Sequence, residues 1–449
     1  MMESRNNQIA IAVALILLLG TVVVYFSLGP SVTVDVLPSG ENELISLAQE
    51  SGRLNIFVDD EIYDESFFNY IDNEFSTKYG IDVEITTGHW SGIQTSLINE
   101  KVSGRNSGSF DLVILNDEAT ARLIEKKLTF SQTGSLISSI SEKPITEDVI
   151  KPKIAGVDND GSGITLWFDV YSYMYNSDEF YKFENVYCYL SLVGEEEDDD
   201  DDDDNDGSGS GEDDDDERCP TAEDHADNDG SGSGDDDEEM EGIYFPNPVE
   251  EQAGVALLVN TVLYYGSSGY YISSYDGSLE TEWPELLNFE IKDEPEMEGM
   301  DELFGEIEEE IEIDSILESF EEEEVLVGYF RYGSILLESI SREIDDNIQV
   351  YFGIEGSVKT SVHATIPFNS SNKAGSVLMI NELLRDSSQT QIASIYGSYP
   401  SANVDIITNV FGDVQFFIPF DDFSDSLSEW PYYSYPINIL DMWRVLFEG

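Results

Sequence analysis

The sequence predicts an α/β fold built around a parallel sheet, and three observations predict it. Strand-like apolar runs recur about every 25–30 residues from Arg53 onward. Stretches with apolar residues at helical spacing separate them, which is the signature of βαβ crossovers. The 449 residues are 41% hydrophobic and include 24 Tyr, 23 Phe and 5 Trp. That content excludes wholesale disorder and suits two or three packing units of roughly 100–200 residues each.

The elements follow in order. Residues 54–58 (LNIFV) read as a buried strand. Residues 66–79 place Phe67, Phe68, Tyr70, Ile71 and Phe75 on a helical face. A second strand (83–87), a helix (93–101), a third strand (110–115) and a helix (118–127) complete the repeat. Residues 163–175 (GITLWFDVYSYMY) return to an aromatic strand pattern. Further on, helices are expected at 249–265, 298–324, 374–384 and 437–447, and a strand at 325–330. In parallel sheets ligands bind beyond the strand carboxyl ends, so the loops at Asp59-Asp60, Gly88–Gly92 and Asn116-Asp117 are expected to converge.

Charge narrows the function classes. The chain has 94 Asp+Glu against 20 Lys+Arg, a formal net charge of -74. Phosphate backbones would be repelled, which excludes nucleic-acid binding. Residues 195–241 hold 27 acids and the single base Arg218, yet 67 acids and 19 bases remain elsewhere. The acidity is therefore global, as suits a protein working at high ionic strength.

Residues 9–28 (IAIAVALILLLGTVVVYFSL) carry no charge over a length that spans a bilayer core as a helix. Arg5 precedes this run and the next base is Arg53, so the positive-inside rule sets the N-terminus in the cytoplasm and the folded part outside. The expectation is one uncleaved N-terminal transmembrane helix over 1–30, followed by a tether over 31–52. A cleaved signal peptide is the rival reading; its apolar region is usually ~7–15 residues.

Four blocks resemble one family. They are RLNIFVDDEIYDESFFNYIDNEFSTKYGIDVEI, SFDLVILNDEATARLIEKKLTF, WFDVYSYMYNSDEF and ATIPFNSSNKAGSVLMINELLRDSSQTQIASIYGSYPS, the last the most specific. In this order they are similar to the extracytoplasmic solute-binding proteins of ABC importers, in the class with two crossovers between lobes. The branch nearest in resemblance holds thiamine-type binding proteins. The resemblance implies a two-lobed periplasmic-binding-protein-like fold with a hinge. Lobe 1 would comprise 53–164 with about 363–405, and lobe 2 would comprise 165–362 with about 406–449. It also implies ABC permease subunits and a small-molecule solute as partners, and a binder rather than an enzyme. Consistently, the sequence has no GxSxG, P-loop or HExxH motif.

Candidate ligand-binding residues follow from the strand ends and crossovers. Asp59 follows the first strand, Trp90 and Ser91 the second, and Asn116 and Asp117 the third. Asp117 would equally serve as N-cap of the helix starting at Glu118. Trp167 and Tyr171 lie near the first crossover, where aromatic faces could stack on flat or cationic ligands or simply pack a core. Arg331 and Tyr332 end a strand in lobe 2; Arg331 would bind an anionic group or pair with acids. His363 and Thr365 sit at the second crossover. Asp59 and Asp117 favour an organic cation as ligand; Arg331 would suit an anion. Asn369-Ser370-Ser371 is a glycosylation sequon.

The hexapeptide Asp-Asn-Asp-Gly-Ser-Gly occurs at 158–163, 204–209 and 227–232. Asp202, Asp204, Asp206 and Asp213 fall at calcium-loop positions, and Asp227 and Asp229 form a second, poorer set. Cys219-Pro220 between these copies makes the segment similar to a thrombospondin type 3 repeat. Two readings stand: Ca²⁺ binding, or a solvated polyanionic linker. Cys188 and Cys219 could close the base of this loop as a disulfide or remain free thiols. No other cofactor is expected. The alternative function is a calcium-dependent cell-surface structural or adhesive protein that reuses the fold.

Overall fold

Leu44 and Ala48 lie four residues apart, the spacing of one helical face. Helix α1 (Glu41–Ser51) forms around that pair and ends at Gly52, whose φ of 68° makes a left-handed C-cap. The expected tether over 31–52 is thus helical in its second half. Its four apolar residues, Leu44, Ile45, Leu47 and Ala48, are bunched within five positions, too short a pattern to signal it. The computed structural model describes residues 37–177, 243–244, 252–267, 327–342, 344–353 and 356–432. The apolar run 9–28, the acidic segment 195–241, Cys188, Cys219 and the helices expected at 298–324 and 437–447 lie outside the described residues. Among the described residues, no helix is long and apolar enough to cross a membrane.

Strand β1 (Arg53–Asp59) is buried along most of its length, as an interior strand must be. Helix α2 (Glu65–Tyr79) leads to β2 (Asp82–Gly88), and α3 (Trp90–Val102) leads to β3 (Leu112–Asn116). Both β2 and β3 pair with β1 in parallel, as the βαβ reading expects. Helix α4 (Asp117–Glu125), helix α5 (Thr133–Ile140) and the two-residue strands β4 (Lys153–Ile154) and β5 (Val157–Asp158) follow. The aromatic stretch then forms β6 (Gly163–Asp169) and β7 (Tyr171–Asn176), broken only at Val170.

Beyond it come β8 (Ile243–Tyr244), α6 (Gln252–Ser267), β9 (Val327–Arg331), α7 (Tyr332–Ser341), β10 (Ile348–Tyr351) and β11 (Ser357–Thr365). Helices α8 (Lys373–Leu383) and α9 (Asp386–Tyr396), strand β12 (Tyr399–Pro400), helix α10 (Ile406–Phe411) and strand β13 (Leu427–Glu429) close the described chain.

These strands make a seven-stranded sheet in the order β12-β6-β11-β3-β1-β2, with β13 paired to β11, and a four-stranded sheet β10-β7-β9-β8. Strand β11 lies antiparallel between β3 and β6, so the large sheet is mixed. Helix α1 packs on α8. Phe57, Ile93, Leu97, Val113, Leu115 and Leu123 pack between β1, β3 and the crossover helices. An aromatic cluster of Phe168, Tyr332, Tyr399 and Phe423 joins β6 to α7 and the C-terminal segment. There the backbones of α7 and α9 touch: a Cβ on Gly333 would lie 2.7 Å from the Gly397 carbonyl oxygen, so only glycine fits.

Candidate functional site

Strand register decides which side chains share an edge. Asp59 is level with Gly88. Val58 is level with Ile114, so Asn116 ends β3 just beyond Asp59. Asn116 is level with Val362 on β11, and Thr360 with Asp169 at the end of β6. The carboxyl ends of β1, β2, β3 and β6 therefore line one edge with the first half of β11. One residue past Val170, Tyr171 is level with Arg331 in the other sheet. This is the edge at which open α/β sheets take ligands.

Asp59 is the anomaly on that edge. Its side chain is buried, and neither carboxylate oxygen has a hydrogen-bond partner among the described residues. Burial pushes its pKa up to about 7, helped by the adjoining Asp60 carboxyl and the charge of Glu61. The Glu61 backbone N–H lowers it slightly without reaching hydrogen-bond geometry. The loop after Asp59 is well tied down by contrast. The Ile62 and Tyr63 amides donate to the Asp59 carbonyl at 3.0 and 3.1 Å. Asp64 caps α2 by accepting from the Phe67 amide at 2.8 Å.

Asp117 is also buried at a strand end, and its oxygens are used. It accepts from the Ser361 amide, and its Oδ1 lies 2.9 Å from His363 Nε2. His363 Nδ1 in turn lies 3.2 Å from the Thr165 hydroxyl. This buried chain ties β3, β11 and β6 together. The cap of α4 is Asn116, which accepts from the Ala119 amide at 3.0 Å; Asp117 is the first helical residue and does not cap it.

The other candidates are placed as follows. Trp90 starts α3, half-buried against the Phe57 cluster, with the Arg122 guanidinium 5.3 Å over its ring. Ser91 is exposed and bonded to His89 at 2.8 Å. Trp167 is buried and stacks on Tyr396 at 5.2 Å. Tyr171 is buried with its hydroxyl 3.1 Å from Thr360; burial raises its pKa. Tyr332 is buried, donating to the Phe416 carbonyl and accepting from the Ile418 amide. Thr365 lies at the far edge of the sheet, bonded to the Ser162 carbonyl. Arg331 pairs with Asp169 at 3.0 Å and donates to Ser398 Oγ and the Tyr396 carbonyl. Its charge is offset by Asp169, which weakens the argument for an anionic ligand, while its buried Nε has no hydrogen-bond partner among the described residues.

The edge thus gathers Asp59, Asn116, Asp117 and Arg331 with Trp90 nearby, and leaves Thr365 apart. Sequence reading missed Tyr396, Asp169 and Ser398. Tyr396 donates to the Ile62 carbonyl at 3.2 Å, linking α9 to the loop after Asp59. Tyr63, in that loop, is partly exposed and stacks on Phe68 at 5.3 Å. Nothing in the local sequence could reveal Tyr396, which lies 334 positions from Ile62.

Two further expectations change. The Asn369 side chain is buried, and its Nδ2 donates to Glu100 at 2.9 Å, so the sequon is closed to glycosylation in the folded protein. The hexapeptide copy at 158–163 is a turn held by protein groups: Asn159 Nδ2 donates to the Lys151 and Gly163 carbonyls and Oδ1 accepts from the Gly163 amide. Among the described residues no cluster of His, Cys, Asp and Glu could hold a metal ion. Asp202, Asp204, Asp206, Asp213, Asp227 and Asp229 lie outside the described residues.

The sequence matches no protein-family model. It matches no curated protein either. Solved structures do match. An extracellular solute-binding protein from Bordetella parapertussis superposes with a TM-score of 0.52 at 13% identity, over 87% of this chain and 98% of that one. The spermidine/putrescine ABC transporter substrate-binding protein PotD from Streptococcus pneumoniae gives 0.51 at 13% identity, over 88% and 98%. An ABC transporter protein from Clostridium perfringens gives 0.50 at 11%, over 88% and 98%. The chain has the fold of the two-lobed periplasmic binding proteins. At such identity the likeness carries the fold and no ligand.

Proposed function

We propose that the chain is the extracytoplasmic substrate-binding component of an ABC importer, which captures a small solute at the strand-end edge and presents it to a permease. The fold shared with substrate-binding proteins supports this reading. The observation that carries it is Asp59, a buried carboxylate left unpaired on the edge where this fold class takes ligands. A buried unsatisfied group costs about 1–3 kcal/mol, and such costs concentrate at functional sites. The reading makes the protein a binder and not an enzyme.

In this reading β6 and β11 are the crossovers. Strand β6 runs straight into β7 of the second sheet, and β11 returns beside it. Lobe 1 is then 53–164 with about 363–405, and the remainder forms lobe 2. Residues 9–28 anchor the folded part outside the membrane. A thermal-shift screen of the full chain against amines, vitamins, sugars and oxyanions tests the reading. A true ligand at 100 times its dissociation constant should stabilise by about 2.7 kcal/mol. No shift with any solute class would contradict capture.

A further inference from the structure

We propose that Asp59 exchanges a proton for the ammonium group of the captured solute: the free protein carries the proton on the Asp59 carboxyl, and the bound solute sets a protonated amine in its place. The inference rests on the solute-capture reading and names the chemical class of the ligand. The exchange is balanced. The carboxylic O–H breaks, the proton leaves to solvent, and the carboxylate accepts N–H hydrogen bonds from the ammonium, with net charge in the site unchanged.

Three features of the geometry carry it. First, the two Asp59 oxygens are buried and unpartnered, so a ligand that satisfies them must be a hydrogen-bond donor. Second, the surrounding charges are negative. Asp60 and Glu61 adjoin Asp59 on its own loop, and Asp64 caps the helix that follows. From β2 and α3 the neighbours are Gly88 and His89, and His89 is bonded to Ser91. From β3 it is the neutral Asn116, and from α9 the Tyr396 hydroxyl, bonded to Ile62. Among the described residues the cations near this edge are each paired with an acid: Arg331 with Asp169, Arg122 with Glu118 and Lys359 with Glu429. An anion at Asp59 would meet the acids Asp60 and Glu61 and no cation on the same loop. Third, the partly exposed Tyr63 lies in this loop, and an aromatic face favours a cation.

The raised Asp59 pKa of about 7 agrees with this geometry, because it keeps the proton on the free site in mildly acidic solution. Below about pH 7 the ligand must displace that proton, so affinity falls about tenfold per pH unit. Above it the carboxylate is already charged, and affinity levels off.

Calorimetry on the full chain tests the proposal. The probes are a panel of amines (putrescine, spermidine, agmatine and arginine), each with a hydroxyl and a carboxylate counterpart, in buffers of different ionisation enthalpy. The expected result is that an amine binds and its counterparts do not. Binding near pH 6 should release close to one proton, and near pH 8 almost none. Asp59→Asn should lose the binding and the proton release while keeping a cooperative unfolding transition. Infrared difference spectra should show a carboxylic acid band that disappears on amine binding and is absent from Asp59→Asn. Binding of a hydroxyl or carboxylate counterpart in place of every amine would overturn the cation assignment and leave solute capture standing. So would amine binding unchanged by Asp59→Asn or without proton release. Failure of all three classes to bind would overturn solute capture itself.

Discussion

Asp59 and Asp117 stand at the ends of neighbouring parallel strands, and both are buried. They differ in what surrounds them. Asp117 meets the Ser361 amide and the His363 ring, whose other nitrogen meets Thr165. Among the described residues no donor reaches hydrogen-bond geometry with the Asp59 carboxylate, and two further acids adjoin it. The first arrangement holds three strands in register. The second costs the fold stability, and in the proposed reading a solute supplies the missing donor. Burial alone therefore does not single out a candidate carboxylate; burial without a hydrogen-bond partner does.

Substitutions can break or sharpen this contrast. The largest effect is expected at Asp117. Asp117→Ala strips the partner from the Ser361 amide and His363 and should destabilise by about 1–3 kcal/mol for each group left unsatisfied, read in urea unfolding. His363→Gln removes the same link from the other side and should cost about 1–2 kcal/mol. The double variant should cost less than the sum, because both changes break one network.

Asp59→Asn should act in the opposite direction. The pKa of this carboxyl rises on folding from 3.8 to about 7, so the folded state holds the proton more tightly. Its stability contribution is full below pH 3.8 and is lost as pH rises to about 7. Above that pH the wild type buries an uncompensated charge. Asp59→Asn should therefore be more stable by about 1–3 kcal/mol near pH 8 and nearly neutral near pH 4. Denaturation curves at the two pH values check the sign. The smallest effect is expected for Arg53→Ala, which breaks only the exposed pair with Glu84 and should cost under about 1 kcal/mol.

The sequence made the first half of the sheet legible and concealed the second. Strands β1 and β3 are runs of Leu, Ile, Val and Phe between helical stretches, and both periods can be read directly. Strand β11 reads SVKTSVHAT, which carries no apolar pattern, yet nearly all of it is buried. Its polar residues are inside because each has a distant partner: Ser357 the Tyr171 amide, Ser361 Lys151, Thr365 the Ser162 carbonyl. Such pairings join residues 186 to 210 positions apart and leave no local trace.

The site divides in the same way. Asp59 and Asn116 could be found because a strand end is a local feature. The commitment of Arg331 to Asp169, Ser398 and Tyr396 could not, because it depends on how α9 meets α7. Asp117 was legible as a strand-end acid, while its role depends on β11, the strand with no pattern.

A crystal structure of the full chain with the solute that gives the largest thermal shift tests solute capture at the strand-end edge most directly. The expected result is solute density at the carboxyl ends of β1 and β3, with a nitrogen of the solute within about 3 Å of an Asp59 oxygen. Asp117 should keep its bonds to Ser361 and His363. Density elsewhere, with Asp59 still buried and unpaired, would contradict the account.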